Sequence, residues 1–371
     1  MPTAVVRAIL GGLLILALVS GGACAPAAAP PAAPTAPPAA PAAPPAPAAS
    51  PSPAALQKVR YGELGIRADV GVYLAIDEGY FAEQGIEVEL ITFDSAANMV
   101  APLATNQLDV GAGAPSAGLY NALRSGVNVR IVAERGHSDP TPPGYPVSIY
   151  LVRKALVDSG RVKSVADLKG LRFAQPARGI SPELDLVAFL RQGGLTPSDL
   201  DTTIMSFPDM VTAFANDSLD FAFSVEPFAT LALNQGTVVV MGYDYEVNPY
   251  HQVAVMLYSP EFSKTELATR FMIAYLRGVR LYNDGFRKND PVAREKAINV
   301  LVRYTPIKNR ALYEQMTPSA LHPDGQMNLQ SFEQQQDWFI STGTQQGRVD
   351  IQQFIDLQHL EAALRYLGPY R

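Results

Sequence analysis

Cysteine is almost missing from these 371 residues. The single one, Cys24, has no partner for an intramolecular disulfide, so an oxidised scaffold and a Cys-x-x-Cys redox pair are both excluded. Histidine is nearly as scarce. His137, His251, His322 and His359 stand far apart without an HExxH spacing, and neither a G-x-S-x-G elbow nor a phosphate-binding loop occurs. No metal, no cofactor and no enzymatic activity is therefore expected. A basic surplus is lacking too. Arg7 is the only charged residue before Leu56, so the remaining 28 basic and all 35 acidic residues leave the body at a net charge of −7. Such a chain has no basic face for a nucleic-acid backbone and little attraction to anionic lipid. Its longest strictly apolar run near the start, Ile9 to Val19, falls well short of the roughly 20 residues that a membrane span needs.

What does stand at the start is a lone Arg7, that apolar run, and the small residues Gly21, Gly22 and Ala23 ahead of Cys24. This is the layout of a secretory signal ending at its cleavage site, residues 1–24. The position of Cys24 resembles the lipobox of bacterial lipoproteins, with Gly21 where that family usually has leucine, and implies a lipid anchor on Cys24. From Ala25 to Ala55 the chain is alanine and proline broken only by Thr35, Ser50 and Ser52. With no charge and nothing to bury, it reads as a disordered polyproline-like spacer, able at ~3.1 Å per residue to reach roughly 90 Å.

The body, Leu56 to Arg371, is longer than one core usually serves, and two lobes are expected. Strand patterns over Lys58–Leu64, Ile86–Phe93, Leu108–Ala114 and Val129–Glu134 alternate with helices over Val70–Glu78 and from Ser95 and Ser116. A second set, Leu171–Gln175, Thr203–Phe207, Phe221–Val225 and Thr237–Met241, alternates with helices from Ser181, Asp209 and Pro227. Short apolar strands separated by helices predict parallel sheets covered on both faces.

The two halves are also alike in sequence. Asn98–Gly113 aligns without gaps on Asp209–Ser224, with five of 16 positions identical, among them the Leu-Asp pairs Leu108-Asp109 and Leu219-Asp220. In each copy the helix stops two residues earlier, at Asn106 and Asp217, residue types that tolerate a left-handed closing turn. A proline-rich crossover, Gly136–Pro146, leads to a strand over Val147–Arg153, and a return strand follows over Val253–Tyr258. These predict a two-strand hinge, with lobe 1 made of residues 56–145 and 248–371 and lobe 2 of residues 146–247. Beyond the return, SKTE (Ser263–Glu266) predicts a capping box opening a helix that buries Phe271, Tyr275, Val279 and Tyr282. Further amphipathic helix is expected from Ser331 to Leu367.

The segments VYLAIDEGYFAEQGIEVEL (Val72–Leu90), Leu103–Asp109, SVADLKGLRFAQP (Ser164–Pro176) and SVEPF (Ser224–Phe228) carry a family resemblance. The body resembles the solute-binding proteins of ABC transporters, in the nitrate, sulfonate, taurine and thiamine-pyrimidine-precursor (NMT1/THI5-like) group. That resemblance implies the type II periplasmic-binding-protein fold: two doubly wound α/β lobes closing over a small organic ligand of sulfonate, aromatic carboxylate or amino-pyrimidine type. It implies delivery to permease and ATPase subunits by an extracytoplasmic, membrane-anchored monomer. Two other classes stay open. A ligand-sensing module for a membrane receptor would have the same body, and a pyrimidine synthase shares the fold, although that enzyme's cysteine-rich motif is missing here.

Ligands of open α/β sheets bind at the carboxyl ends of the strands. By that rule Arg67 and Asp69 sit on the first cleft loop, where they bind a charged or amide-bearing ligand or form a solvated pair. Ser95 and Ser116 open helices and serve as plain N-caps or ligand contacts. Arg178 and Ser181, flanking Gly179 and followed by Pro182, form the strongest local site, suited to an anionic or carbonyl oxygen. Glu226 at the next strand end either favours its helix dipole or binds an amine. The alternative for Arg178 is a surface or interlobe ion pair.

Overall fold

The computed structural model describes residues 55–371, and the expected signal segment, Cys24 and all but the last residue of the Ala/Pro spacer lie outside the described residues. Among the described residues, ten strands form two five-stranded sheets. The first sheet has β1 (Gln57–Glu63), β2 (Ile86–Thr92), β3 (Val110–Gly113), β4 (Arg130–His137) and, from much later in the chain, β10 (Gln252–Tyr258). The second has β5 (Ile149–Arg153), β6 (Arg172–Gln175), β7 (Asp201–Ile204), β8 (Phe221–Ser224) and β9 (Val238–Tyr243).

Their orders are β2-β1-β3-β10-β4 and β7-β6-β8-β5-β9, so each crossing strand, β10 or β5, occupies the fourth place of its sheet. The sheets are mixed, which corrects the all-parallel expectation. β10 runs antiparallel to β3 and β4, and β5 runs antiparallel to β8 and β9. The reason is entry direction, since both strands arrive from the other sheet and so travel against their neighbours. All seven residues of β10 are buried, as befits a strand covered on both faces.

Each sheet has its own apolar core. One gathers Val59, Tyr61, Val110, Ile131 and Met256 with Phe271, Tyr275 and Val279 of the long helix Glu266–Phe286. The other gathers Tyr150, Phe173, Phe189 and Phe221. Between the register partners Gly62 and Gly111 the backbone is bare because a Cβ on Gly62 would meet Leu108 at 2.8 Å and one on Gly111 would meet Leu103 at 2.9 Å.

Asn106 and Asp217 both adopt positive φ, 56° and 60°, closing their helices as the sequence predicts. The predicted SKTE capping box is not formed. Thr265 precedes the helix, and the Ser263 hydroxyl instead donates to Pro260 O within a short 3-10 turn. β7 lies two to three residues earlier than expected because Ser206 caps a helix that begins at Phe207, not Asp209. In the tail, helices Leu329–Ser341 and Gln358–Leu367 are separated by a 3-10 turn.

Candidate functional site: an apolar cavity between the sheets

The loops after β1, β2 and β3 face the loops after β6 and β8 across a cavity of about 80 Å³. One wall is Leu64, Ile66, Ala68, Ser95 and Ala114, with Arg135 from β4. The facing wall is Ser148, Pro176, Ile180, Phe207, Phe223 and Val225, and Val253 and Ala254 of β10 close the back. The lining sits at strand carboxyl ends, where open α/β sheets place their ligands.

The two halves are shut on each other. Ser116 and Ile180 form an antiparallel bridge, and the Ala117 amide donates to Gly179 O at 2.8 Å. Gly179 has φ +67°, and a Cβ there would lie 3.0 Å from that of Ala117, so a bare residue permits the approach. The Arg67 amide donates to Glu226 O at 3.1 Å, and the Ser181 hydroxyl donates to Val253 O at 2.8 Å.

Of the seven residues expected to meet a ligand, Ser95 lines this cavity. Its oxygen accepts the Ala97 amide, which leaves the hydroxyl proton to donate. Asp69 is fully buried and occupied by protein. Its carboxylate accepts from Arg135 Nη2 at 2.5 Å, Tyr61 OH at 3.3 Å and the Leu64 and Ile66 amides at 3.2 Å. Arg67 is also buried, donating to Ser319 Oγ and Pro146 O, and burial lowers its pKa against the pull of Glu226. Glu226 takes the Thr230 amide and hydroxyl and, at 3.3 Å, the Thr317 amide. Ser116 caps its helix through the Leu119 amide. Arg178 is exposed and lines a separate recess of about 400 Å³ with Gln175, Glu183 and Trp338.

Arg135 was missed by the sequence reading. The expected strand stopped at Glu134, one residue short of it, although a cation directly after an apolar strand is a signal that could have found it. Burial by itself would lower the pKa of this guanidinium, but the Asp69 carboxylate more than reverses that and holds the charge. Ser148, at the entry to β5, carried no sequence signal. His251 is buried away from the cavity wall, its Nδ1 2.7 Å from Asp185 and its Nε2 accepting from Gln335. Among the described residues no cluster of His, Cys, Asp or Glu could hold a metal, and no helix is long and apolar enough to cross a membrane.

Known structures share this architecture. The nitrate-binding protein NrtA from Synechocystis PCC 6803 matches with a TM-score of 0.67 at 13% identity, over 84% of this chain and 89% of that one. The alkanesulfonate-binding protein SsuA from Xanthomonas axonopodis pv. citri, bound to MOPS, matches at 0.64 and 18% identity over 81% and 98%. The aliphatic sulphonate-binding SsuA from Escherichia coli matches at 0.61 and 21% identity over 81% and 92%. At such identities the likeness establishes the fold, that of the periplasmic binding proteins. No curated protein sequence matches the chain. The family model described as NMT1/THI5 like does match, across residues 68–283 with both sheets represented, and the chain belongs to the NMT1/THI5-like family.

Proposed function

We propose that this protein is the solute-binding component of an ABC import system. It captures a small organic molecule of sulfonate, aromatic carboxylate or amino-pyrimidine type between its two lobes and presents the closed form to permease and ATPase subunits. The cavity carries this reading: it lies between two sheets that are joined by two connections and pressed together at Ser116–Ile180, the arrangement of a hinge-closing trap. Among the described residues its lining is apolar apart from Ser95, Arg135 and Ser148, a surface suited to enclosing a small molecule. In this reading residues 56–145 with 248–371 move against residues 146–247. Ser95 meets the ligand, Arg67 and Asp69 shape the first loop, Ser116, Ser181 and Glu226 hold the closed form, and Arg178 acts at the lobe margin. Cys24 carries a lipid that anchors a monomer outside the cytoplasmic membrane, at the end of the Ala/Pro spacer.

A thermal-shift screen of the purified protein tests capture. A ligand at 100 times its Kd stabilises the native state by about 2.7 kcal/mol, and a saturable shift with the compound recovered unchanged is expected. Incorporation of labelled palmitate that disappears in Cys24→Ala tests the anchor.

A further inference from the structure

The recess that holds Arg178 shares no lining residue with the cavity between the sheets. Its volume of about 400 Å³ is of the size that small-molecule sites have. Its lining joins distant parts of the chain. Gln175, Arg178 and Glu183 come from the end of β6 and the helix after it, and Trp338 comes from the helix Leu329–Ser341.

Four polar groups of this lining have bonding capacity to spare. The Arg178 guanidinium is exposed and pairs with no carboxylate among the described residues. Glu183 accepts from Gln175 Nε2 at 2.7 Å and from the Gly179 amide at 3.1 Å, both through Oε1, so its Oε2 stays open. Two buried atoms lack any hydrogen-bond partner: Oε1 of Gln175, a residue 3% exposed, and Nε1 of Trp338. Buried polar atoms are almost always paired, so two unpaired ones in one recess mark a place that an occupant completes.

The chemistry of that occupant follows from the groups. A guanidinium and an indole nitrogen only donate, whereas a carboxylate and an amide oxygen only accept. Burial raises the pKa of Glu183, and Arg178 is near enough to help pull it back, yet the two form no ion pair. The recess thus holds one cation and one anion that do not satisfy each other. A simple anion would meet Arg178 but be repelled by Glu183, and a simple amine would meet the reverse. A zwitterion answers both, its carboxylate matching the guanidinium fork. Pro197, Leu200 and the Trp338 ring add apolar wall for a side chain.

We propose that this recess binds a free α-amino acid with an apolar side chain, its carboxylate against Arg178 and Trp338 Nε1 and its ammonium against Glu183 and Gln175 Oε1. The site stands apart from solute capture in the cleft, and neither reading depends on the other.

Trp338 is the only tryptophan of the chain, so intrinsic emission reads this recess directly. Titration of the purified protein with L-leucine near pH 7 is expected to change that emission saturably. Isocaproate, which lacks the ammonium, and isopentylamine, which lacks the carboxylate, should bind at least tenfold more weakly. Arg178→Ala should weaken leucine binding about tenfold and erase its advantage over isopentylamine. Glu183→Gln should erase its advantage over isocaproate. Should Glu183→Gln fail to fold, Arg178→Ala still decides, because Arg178 is exposed. No response to leucine, binding of either analogue as tight as leucine, or a leucine affinity unchanged in Arg178→Ala overturns the inference. Each of these leaves solute capture, read by the thermal-shift screen, standing.

Discussion

Arg60 grips Asp109 in a fork, Nε to Oδ2 at 2.9 Å and Nη2 to Oδ1 at 2.7 Å, while its amide donates to the same carboxylate at 2.9 Å. The second sheet repeats the arrangement. Arg172 reaches Asp220 at 2.8 and 2.7 Å, its amide at 3.2 Å, and its Nη2 also takes Asp217 O as Arg60 takes Asn106 O. The aligned Leu-Asp pairs thus perform one task twice: each aspartate ties the strand at the second place of its sheet to the turn that closes the preceding helix.

Removing these carboxylates should cost stability unequally. Asp220 is held by Arg153 as well as Arg172 and is nearly buried, so Asp220→Ala is expected to cost about 3 kcal/mol, the range for a broken buried pair. Asp109→Ala removes a carboxylate that is 18% exposed, against 7% for Asp220, and that has no second arginine, so it should cost about half that. Urea denaturation of both variants measures the difference, and equal small losses below about 0.5 kcal/mol would show that the forks hold nothing.

Gly179→Ala should loosen closure. The new Cβ meets Ala117 at 3.0 Å and the backbone stands at φ +67°, where a side chain costs about 1 kcal/mol or more. A larger radius of gyration by X-ray scattering, with the secondary structure retained, is the expected sign. An unchanged radius and Tm would mean that the contact does not limit closure.

His322 gives the protein an acid sensitivity of known sign. Its Nδ1 accepts the Asp324 amide at 3.2 Å and the Gln326 amide at 3.3 Å, a geometry that needs a neutral ring. Burial lowers its pKa, partly countered by Glu134. With the folded pKa below the unfolded value of about 6.5, this contribution is full above that pH and is lost as pH falls through the folded pKa. Melting curves of the wild type and His322→Asn from pH 8 to 5 should converge as pH falls. Parallel curves would remove His322 from the acid response.

Arg178→Ala is expected to leave affinity for a cleft ligand within twofold, because Arg178 lies in the separate recess and is exposed. A tenfold loss in a titration would place the ligand there instead.

Much of this was legible in the chain, for identifiable reasons. The helix ends at Asn106 and Asp217 could be read because few residue types accept positive φ. Strand order could not, since β10 and β5 pair with partners far away in sequence, and local pattern says nothing about which neighbours a strand joins. The SKTE motif misled because Phe262 and Thr265 settle a 3-10 turn first. At the site, strand-end reasoning found Ser95 but passed over Arg135 by ending β4 three residues before His137. It left Asp69 between a ligand contact and a solvated pair, and Glu226 between a helix-dipole role and an amine contact, whereas packing turns both carboxylates onto the protein's own donors. Whether a carboxylate serves protein or solute depends on which amides fold back onto it, and that is fixed only by packing.

The placement of β10 has a consequence for the order of assembly. All five strands of the second sheet lie between residues 149 and 243, so that sheet has every strand once residue 243 is available. The first sheet begins earlier but keeps a gap between β3 and β4 until residues 252–258 arrive. During vectorial emergence of the chain the later half therefore matures first, and the earlier half waits, with two strand edges uncovered, for a piece delivered from beyond it.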